Sequence, residues 1–281
     1  MLNRDGVRAS LLGLVMVSMT GAGAQQVAAG VTPSADLAGM AHVAIRVHDL
    51  DASVGFYEKL GFVRAFALSK DGKVYEAFIK INDQQYIELY PVDEKNATAE
   101  FLHVCFYGDD LQAVHDYYVQ HGLTPNAVRT AGAGNLLFTM PGPQTPTGAQ
   151  NMEYTQYMPG SRHTKAVGQF LGPDRISTHL VEVAMSFDDP AAATTFYREK
   201  VGFAAGPGGV MTIPGKASEA VRVVPSSRLG LRTVMTFAAE HSAAATLKTR
   251  GLAFRKGSEF AGRHSVTLAD PDGNEVVLRM Q

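Results

Sequence analysis

The chain has a single cysteine, Cys105, in 281 residues. No internal disulfide can form, so packing alone must hold the core. Cys105 stands in an apolar, strand-like run, where a buried inert thiol is the expected state. There is also no excess of either charge: 25 Lys and Arg against 27 Asp and Glu leave −2. That is too weak a positive field to draw nucleic acid, and the two signs are mixed along the chain without a charged tail. After the N-terminus no apolar run is long enough to span a bilayer as a helix. What remains is 46% hydrophobic and 19% charged, a globular composition, and the length suffices for two domains with real cores.

The first residues read as a secretory signal. Arg4 and Arg8 give a basic start, Leu11 to Met19 a short apolar run, and Ala22-Gly23-Ala24 a small-residue cleavage site. The apolar run is short and broken by Gly and Ser, which argues against a membrane anchor. No Cys follows it to carry a lipid. The expectation is an exported protein, periplasmic or secreted, with a signal peptide over 1–24 and a linker over 25–39.

The body of the chain repeats itself. His42 to Phe62 and Glu182 to Phe203 each carry an alternating apolar stretch, an acidic turn, a helical stretch with Phe-Tyr, and a closing Gly-Phe. Val43, Ile45 and Val47 alternate with period two, the mark of a half-buried strand. Asp49 or Asp51 can cap the helix that follows, as Asp188 or Asp189 can in the second copy, and Gly61 and Gly202 fit helix C-termini. A looser pair runs from Leu102 to Leu123 and from Leu231 to Leu252, ending at Gly122 and Gly251. Three strand-like runs follow each helix, and the last copy closes with an Asp270-Pro271-Asp272-Gly273 hairpin turn and the strand Glu275–Met280. The unit is βαβββ, four times over. Short joins near Val92–Glu100 and Pro225–Gly230 pair the units two by two. A longer stretch, Met158 to Ser177 with its Gly172-Pro173 turn, separates the pairs, with a short helix expected over Lys165–Leu171. The domains are therefore 40–158 and 178–281, with 159–177 as the linker.

The strand His42-Val43-Ala44-Ile45, the Phe56-Tyr57…Gly61-Phe62 helix end, the strand Tyr86-Ile87-Glu88-Leu89-Tyr90 and the Asp270-Pro271-Asp272-Gly273-Asn274-Glu275 ending resemble the vicinal-oxygen-chelate superfamily of glyoxalases, bleomycin-resistance proteins and extradiol dioxygenases. The resemblance runs from about Ala41 to the C-terminus. It implies an α+β fold in which the four βαβββ units form two glyoxalase-like domains, each a curled mixed sheet with its helices outside. It also implies that metal ligands project from the first and fourth strands of each unit.

Placed on this chain, those strands offer His42 and Glu88 from the first unit and His103 and Glu153 from the second. Two imidazoles and two carboxylates suit one divalent ion of Zn, Ni, Co, Mn or Fe, and the carboxylates neutralise it. Period two puts Ala44 and Arg46 beside His42, Tyr86 and Tyr90 beside Glu88, Cys105 and Tyr107 beside His103, and Asn151, Thr155 and Tyr157 beside Glu153. Arg46, Tyr86, Tyr90, Tyr107 and Tyr157 are thus the candidate pocket lining for a small-molecule substrate. His48, His115 and His121 fall in turns and helices and read as structural; His163, in the linker, could reach over the pocket. In the second domain the aligned positions are Glu182, Arg222, Arg232 and Glu275. Arginine does not ligate metals in this way, so two Arg–Glu pairs are expected to replace the ion.

Three functions follow from the resemblance. The first is glyoxalase I-type isomerase or lyase chemistry, with Glu153 or Glu88 as proton-shuttling base. Export stands against its usual thiol cosubstrate, which is mainly cytoplasmic. The second is an extradiol ring-cleaving dioxygenase on His42, His103 and Glu153. The third is a non-enzymatic drug-binding or resistance protein. Units paired within one chain or swapped in a homodimer are both compatible with the repeats.

Overall fold

Alternation along the repeats builds two eight-stranded mixed sheets. A computed structural model describes residues 36–215 and 218–281, so the expected signal peptide lies outside the described residues. In the first domain the chain runs β1 (Gly39–Val47), α1 (Leu50–Lys59), β2 (Val63–Lys70), β3 (Lys73–Lys80) and β4 (Tyr86–Pro91). It continues through β5 (Glu100–Tyr107), α2 (Leu111–Gln120), β6 (Arg129–Thr130), β7 (Leu136–Thr145) and β8 (Gly148–Gln156). The linker holds α3 (Arg162–Lys165).

The second domain repeats the plan with β9 (Ser177–Phe187), α4 (Pro190–Glu199), β10 (Ala204–Ala205), β11 (Val210–Thr212) and β12 (Ala220–Pro225). After α5 (Ser226–Leu229) come β13 (Val234–Ala239), α6 (Ala243–Thr249), β14 (Arg255–Ser258), β15 (Gly262–Ala269) and β16 (Glu275–Met280). The strand orders are β2-β3-β4-β1-β5-β8-β7-β6 and β10-β11-β12-β9-β13-β16-β15-β14. The first and fourth strands of each unit pair in parallel, and two units join antiparallel through their first strands, β1 with β5 and β9 with β13. This is the four-unit βαβββ architecture expected from the repeats.

Local chemistry sets the element ends. Asp49, Asp110 and Asp189 cap α1, α2 and α4 by accepting backbone N–H bonds. Gly61, Gly122, Gly202 and Gly251 follow the four long helices at φ between 67° and 85°, a left-handed backbone that costs glycine least. The linker helix falls earlier than expected, at Arg162–Lys165, because Ser161 caps it by accepting from the Thr164 N–H and Gly168 turns left-handed three residues beyond its end.

One face of each sheet and its helices share a continuous core that crosses between domains. Phe62 meets Phe237 at 5.5 Å between ring centroids, and Phe106 meets Phe203 at 5.3 Å. Val43, Ile45, Ile87, Leu89, Val104 and Phe106 all lie in it, as their alternation requires. The repeated Phe-Tyr explains itself here: each Tyr reaches the other domain, Tyr57 to Asp270 and Tyr197 to Gln150. Among the described residues no helix is long and apolar enough to cross a membrane.

Candidate metal centre

The opposite sheet face of the first domain carries the candidate ligands. Two β-bulges aim the histidines. Ala41 is the extra residue between the pairs Met40–Phe106 and His42–Cys105, and Leu102 is the extra residue between Ala44–His103 and Ile45–Phe101. Each bulge immediately precedes a histidine and re-aims it. The imidazoles meet with His42 Nε2 3.1 Å from His103 Nε2. Glu153, registered beside Cys105, lies 3.4 Å from His42 Nε2 and 3.8 Å from His103 Nε2. Ligand atoms of His42, His103 and Glu153 all lie within 4.8 Å of one another.

Glu88, registered against Ala44, approaches the other side of the ring, 3.0 Å from His42 Nδ1. It does so without the alignment of a hydrogen bond, for Nδ1 is buried and unpartnered. The four expected side chains therefore converge, but three gather around one point and Glu88 stands behind His42.

This arrangement fits a cation. Groups about 2.1 Å from one ion lie at most about 4.2 Å from each other, close to the spacing seen. Two facing imidazole nitrogens and a carboxylate are, once deprotonated, a donor set for a divalent transition metal. Burial opposes charge on both carboxylates, yet the adjacent histidines prevail: His103 and His42 bring Glu153 down to about 2, and His42 lowers Glu88. Both therefore stay anionic. Burial lowers His103 and presses the Cys105 thiol upward, so Cys105 is a neutral floor beneath His42, as expected of an inert thiol.

A cavity of about 230 Å³ opens on His42, Glu88 and Glu153. Of the expected lining, Tyr90 faces it. Tyr86 and Tyr157 pack one layer back around His163, and Tyr107 packs on Tyr157 at 5.0 Å. Arg46 is a correction: it pairs with Glu100 and faces an adjoining surface groove, since it lies two residues beyond Ala44 toward the strand end.

Glu76 lines the cavity and was missed. The Tyr90 hydroxyl lies 2.6 Å from Glu76 and 3.1 Å from Glu88. A phenol has one proton to give, so serving both contacts requires a proton on Glu76. Burial and then the Glu88 charge do raise Glu76 to about 8. Its signal was present in β3, where Glu76, Phe78 and Lys80 alternate with the core residues Ala77 and Ile79.

The second domain differs from expectation. Glu182 and Arg222 form the expected pair, with Arg222 Nε and Nη2 2.7 and 2.9 Å from the two carboxylate oxygens. Arg232 and Glu275 do not pair. Glu275 binds Arg255 on the surface at 2.8 Å, and Arg232 packs by Gly273 ahead of β13. Strand register shows why. Ala184 pairs with Val234 as Ala44 pairs with His103, and Thr236 lies beside Val277 as Cys105 lies beside Glu153. The true equivalents of His103 and Glu153 are thus Val234 and Val277, each two residues further on. With Ala184, Val224 and Phe260 they form an apolar plug.

Residues 39–152 match the Glyoxalase/Bleomycin resistance protein/Dioxygenase superfamily. The matched stretch takes in most of the first domain. No curated protein sequence matches the chain. Among solved structures, the chain is similar to a catechol 2,3-dioxygenase (14% identity, TM-score 0.63, 88% of each chain covered). It is similar to an extradiol ring-cleaving dioxygenase from B. fuscum (15%, 0.62, covering 90% of this chain and 74% of that one). It is also similar to a Mn(II)-bound glyoxalase from Novosphingobium aromaticivorans (15%, 0.60, 88% and 83%). At these identities the likeness is one of fold.

Proposed function

We propose that the chain is an exported metal-dependent enzyme of the superfamily that cleaves the ring of a small ortho-dihydroxy aromatic with O₂. The observation that carries this reading is the group His42, His103 and Glu153, with ligand atoms within 4.8 Å of one another. Two histidines and one carboxylate on one side of an ion are the set used by non-haem Fe(II) oxygenases, which leaves coordination positions for substrate and O₂. Bound there, the ion would supply Lewis acidity and a meeting place for the two reactants. Glu88 would orient His42, a role in which its second carboxylate oxygen is held by Tyr90. Phe78 faces the cavity as an aromatic wall, and the modest cavity volume limits the ligand to about one ring.

A second reading, isomerase chemistry on four ligands, is favoured by one observation. His42 Nδ1 makes no aligned bond to Glu88, so that imidazole does not hold the carboxylate away from an ion. Metal content and O₂ uptake separate the two. The chain purified from cells and reloaded anaerobically with Fe(II) should hold one ion and consume O₂ in step with catechol. An ion bound without O₂ uptake would sink the oxygenase reading, and absence of any bound ion would sink both.

A further inference from the structure

We propose that His163, supplied by the interdomain linker and not by either sheet, is the hydrogen-bonding partner that selects the ligand in the first-domain cavity; this rests on the metal-site reading above. The imidazole lines the same cavity as the carboxylates, is only 2% exposed, and neither ring nitrogen has a hydrogen-bond partner. Its ring stacks on Tyr157, centroids 4.2 Å apart with 6° between planes, and meets Phe66, Phe78 and Tyr86 edge to face at 5.2, 5.5 and 5.1 Å. A neutral imidazole carries one N–H donor and one lone pair. Burying both among aromatic rings without a partner is unfavourable, and buried orphans of this kind are rare in folded proteins. A ligand that brings an oxygen into the cavity supplies what is missing.

The position is built, not accidental. Lys80, fully buried on β3, donates to the carbonyls of Ala166 and Gln169 just beyond α3, and Asp83 accepts from the Gly168 N–H. From the other side the Arg162 N–H donates to Ala133, and its guanidinium donates to Ala67. Five hydrogen bonds to four first-domain residues, Ala67, Lys80, Asp83 and Ala133, pin the short helix and the turn after it across the cavity, so His163 has little freedom to turn elsewhere. A ring caged in this way can discriminate a hydroxyl or oxo substituent from a hydrogen, because an unmatched ligand leaves the imidazole unpartnered.

The test uses the full chain loaded anaerobically with Mn(II), titrated with catechol by calorimetry, in wild type, H163F and H163Q. Phenylalanine keeps the aromatic cage and removes both nitrogens; glutamine restores a donor and an acceptor. We expect H163F to retain wild-type Mn(II) content, to melt at a higher temperature than wild type when metal-free, and to bind catechol at least tenfold more weakly, with H163Q recovering part of that loss. Catechol binding by H163F within twofold of wild type would overturn the assignment while leaving the metal site standing. Failure of wild type itself to take up Mn(II), or to bind catechol once loaded, would overturn the metal-site reading and this assignment with it. Should H163F fail to fold, H163L decides, since leucine also removes both nitrogens: catechol binding by folded, Mn(II)-loaded H163L within twofold of wild type would again remove the role.

Discussion

The Tyr57 hydroxyl donates to Asp270 at 3.0 Å and thereby fastens the first helix of one domain to the last hairpin of the other. Asp270 in turn accepts from the Asn274 and Asp272 backbone N–H groups and from the Asn274 side chain. Removing the phenol leaves one buried carboxylate oxygen with one partner fewer. Tyr57→Phe should cost about 1–2 kcal/mol in urea unfolding, with metal content unchanged. Tyr197→Phe, which takes the hydroxyl away from the Gln150 amide, should cost a similar amount; wild-type stability in both would show that the packing of the rings, not the hydroxyls, joins the domains.

The candidate centre predicts a stoichiometry. One divalent ion per chain is expected by elemental analysis, not two, because Val234 and Val277 occupy the second domain's ligand positions. His42→Ala or His103→Ala should reduce bound metal at least tenfold. Glu88→Gln separates the two functional readings: retention of the ion fits an orienting role, and its loss fits a ligand. Two ions in wild type would contradict the plug.

Glu76 gives a pH prediction for the metal-free chain. Its folded value of about 8 lies above the ordinary 4.5. The folded state therefore binds the extra proton, and that stabilisation is complete below about pH 4.5 and lost as pH rises through 8. Glu76→Gln keeps a neutral group and should remove the dependence. Between pH 5 and 8.5 wild type should lose on the order of 3 kcal/mol relative to Glu76→Gln. Parallel unfolding curves of the two proteins across that range would show that Glu76 ionises normally.

His163 shifts the other way. Burial holds it at about 4 against an ordinary 6.5. The unfolded chain gains this proton first, so the contribution is complete above about pH 6.5 and is lost as pH falls toward 4. Wild type should weaken by about 2–3 kcal/mol relative to H163F between pH 7 and 4.5, read from urea midpoints; an equal loss in both proteins would exclude His163 as the source.

In the second domain, Arg222→Leu strands the Glu182 carboxylate, of which only a small fraction is exposed. About 2–4 kcal/mol should be lost, and the double variant with Glu182→Leu should recover most of it, as expected when a lone buried charge is worse than an apolar pair. A double variant no more stable than the single would show that the pair contributes beyond its own neutralisation.

Sequence alone determined the βαβββ repeat, the helix caps and the sheet face that carries His42, Glu88, His103 and Glu153, because alternation and capping are local: they need only the neighbours along the chain. It did not determine which residues stand opposite one another. Arg232 and Glu275 have the right parity and the wrong register by two residues, since period two fixes a face but not a partner, and only strand pairing fixes the partner. The division of the four candidate ligands into three around one point and one behind His42 was decided by the bulges at Ala41 and Leu102 and by how the strands curl. The enclosure of His163 lay further beyond reach, for the linker has no periodicity, and its place is set by contacts from residues some 30 to 95 positions away.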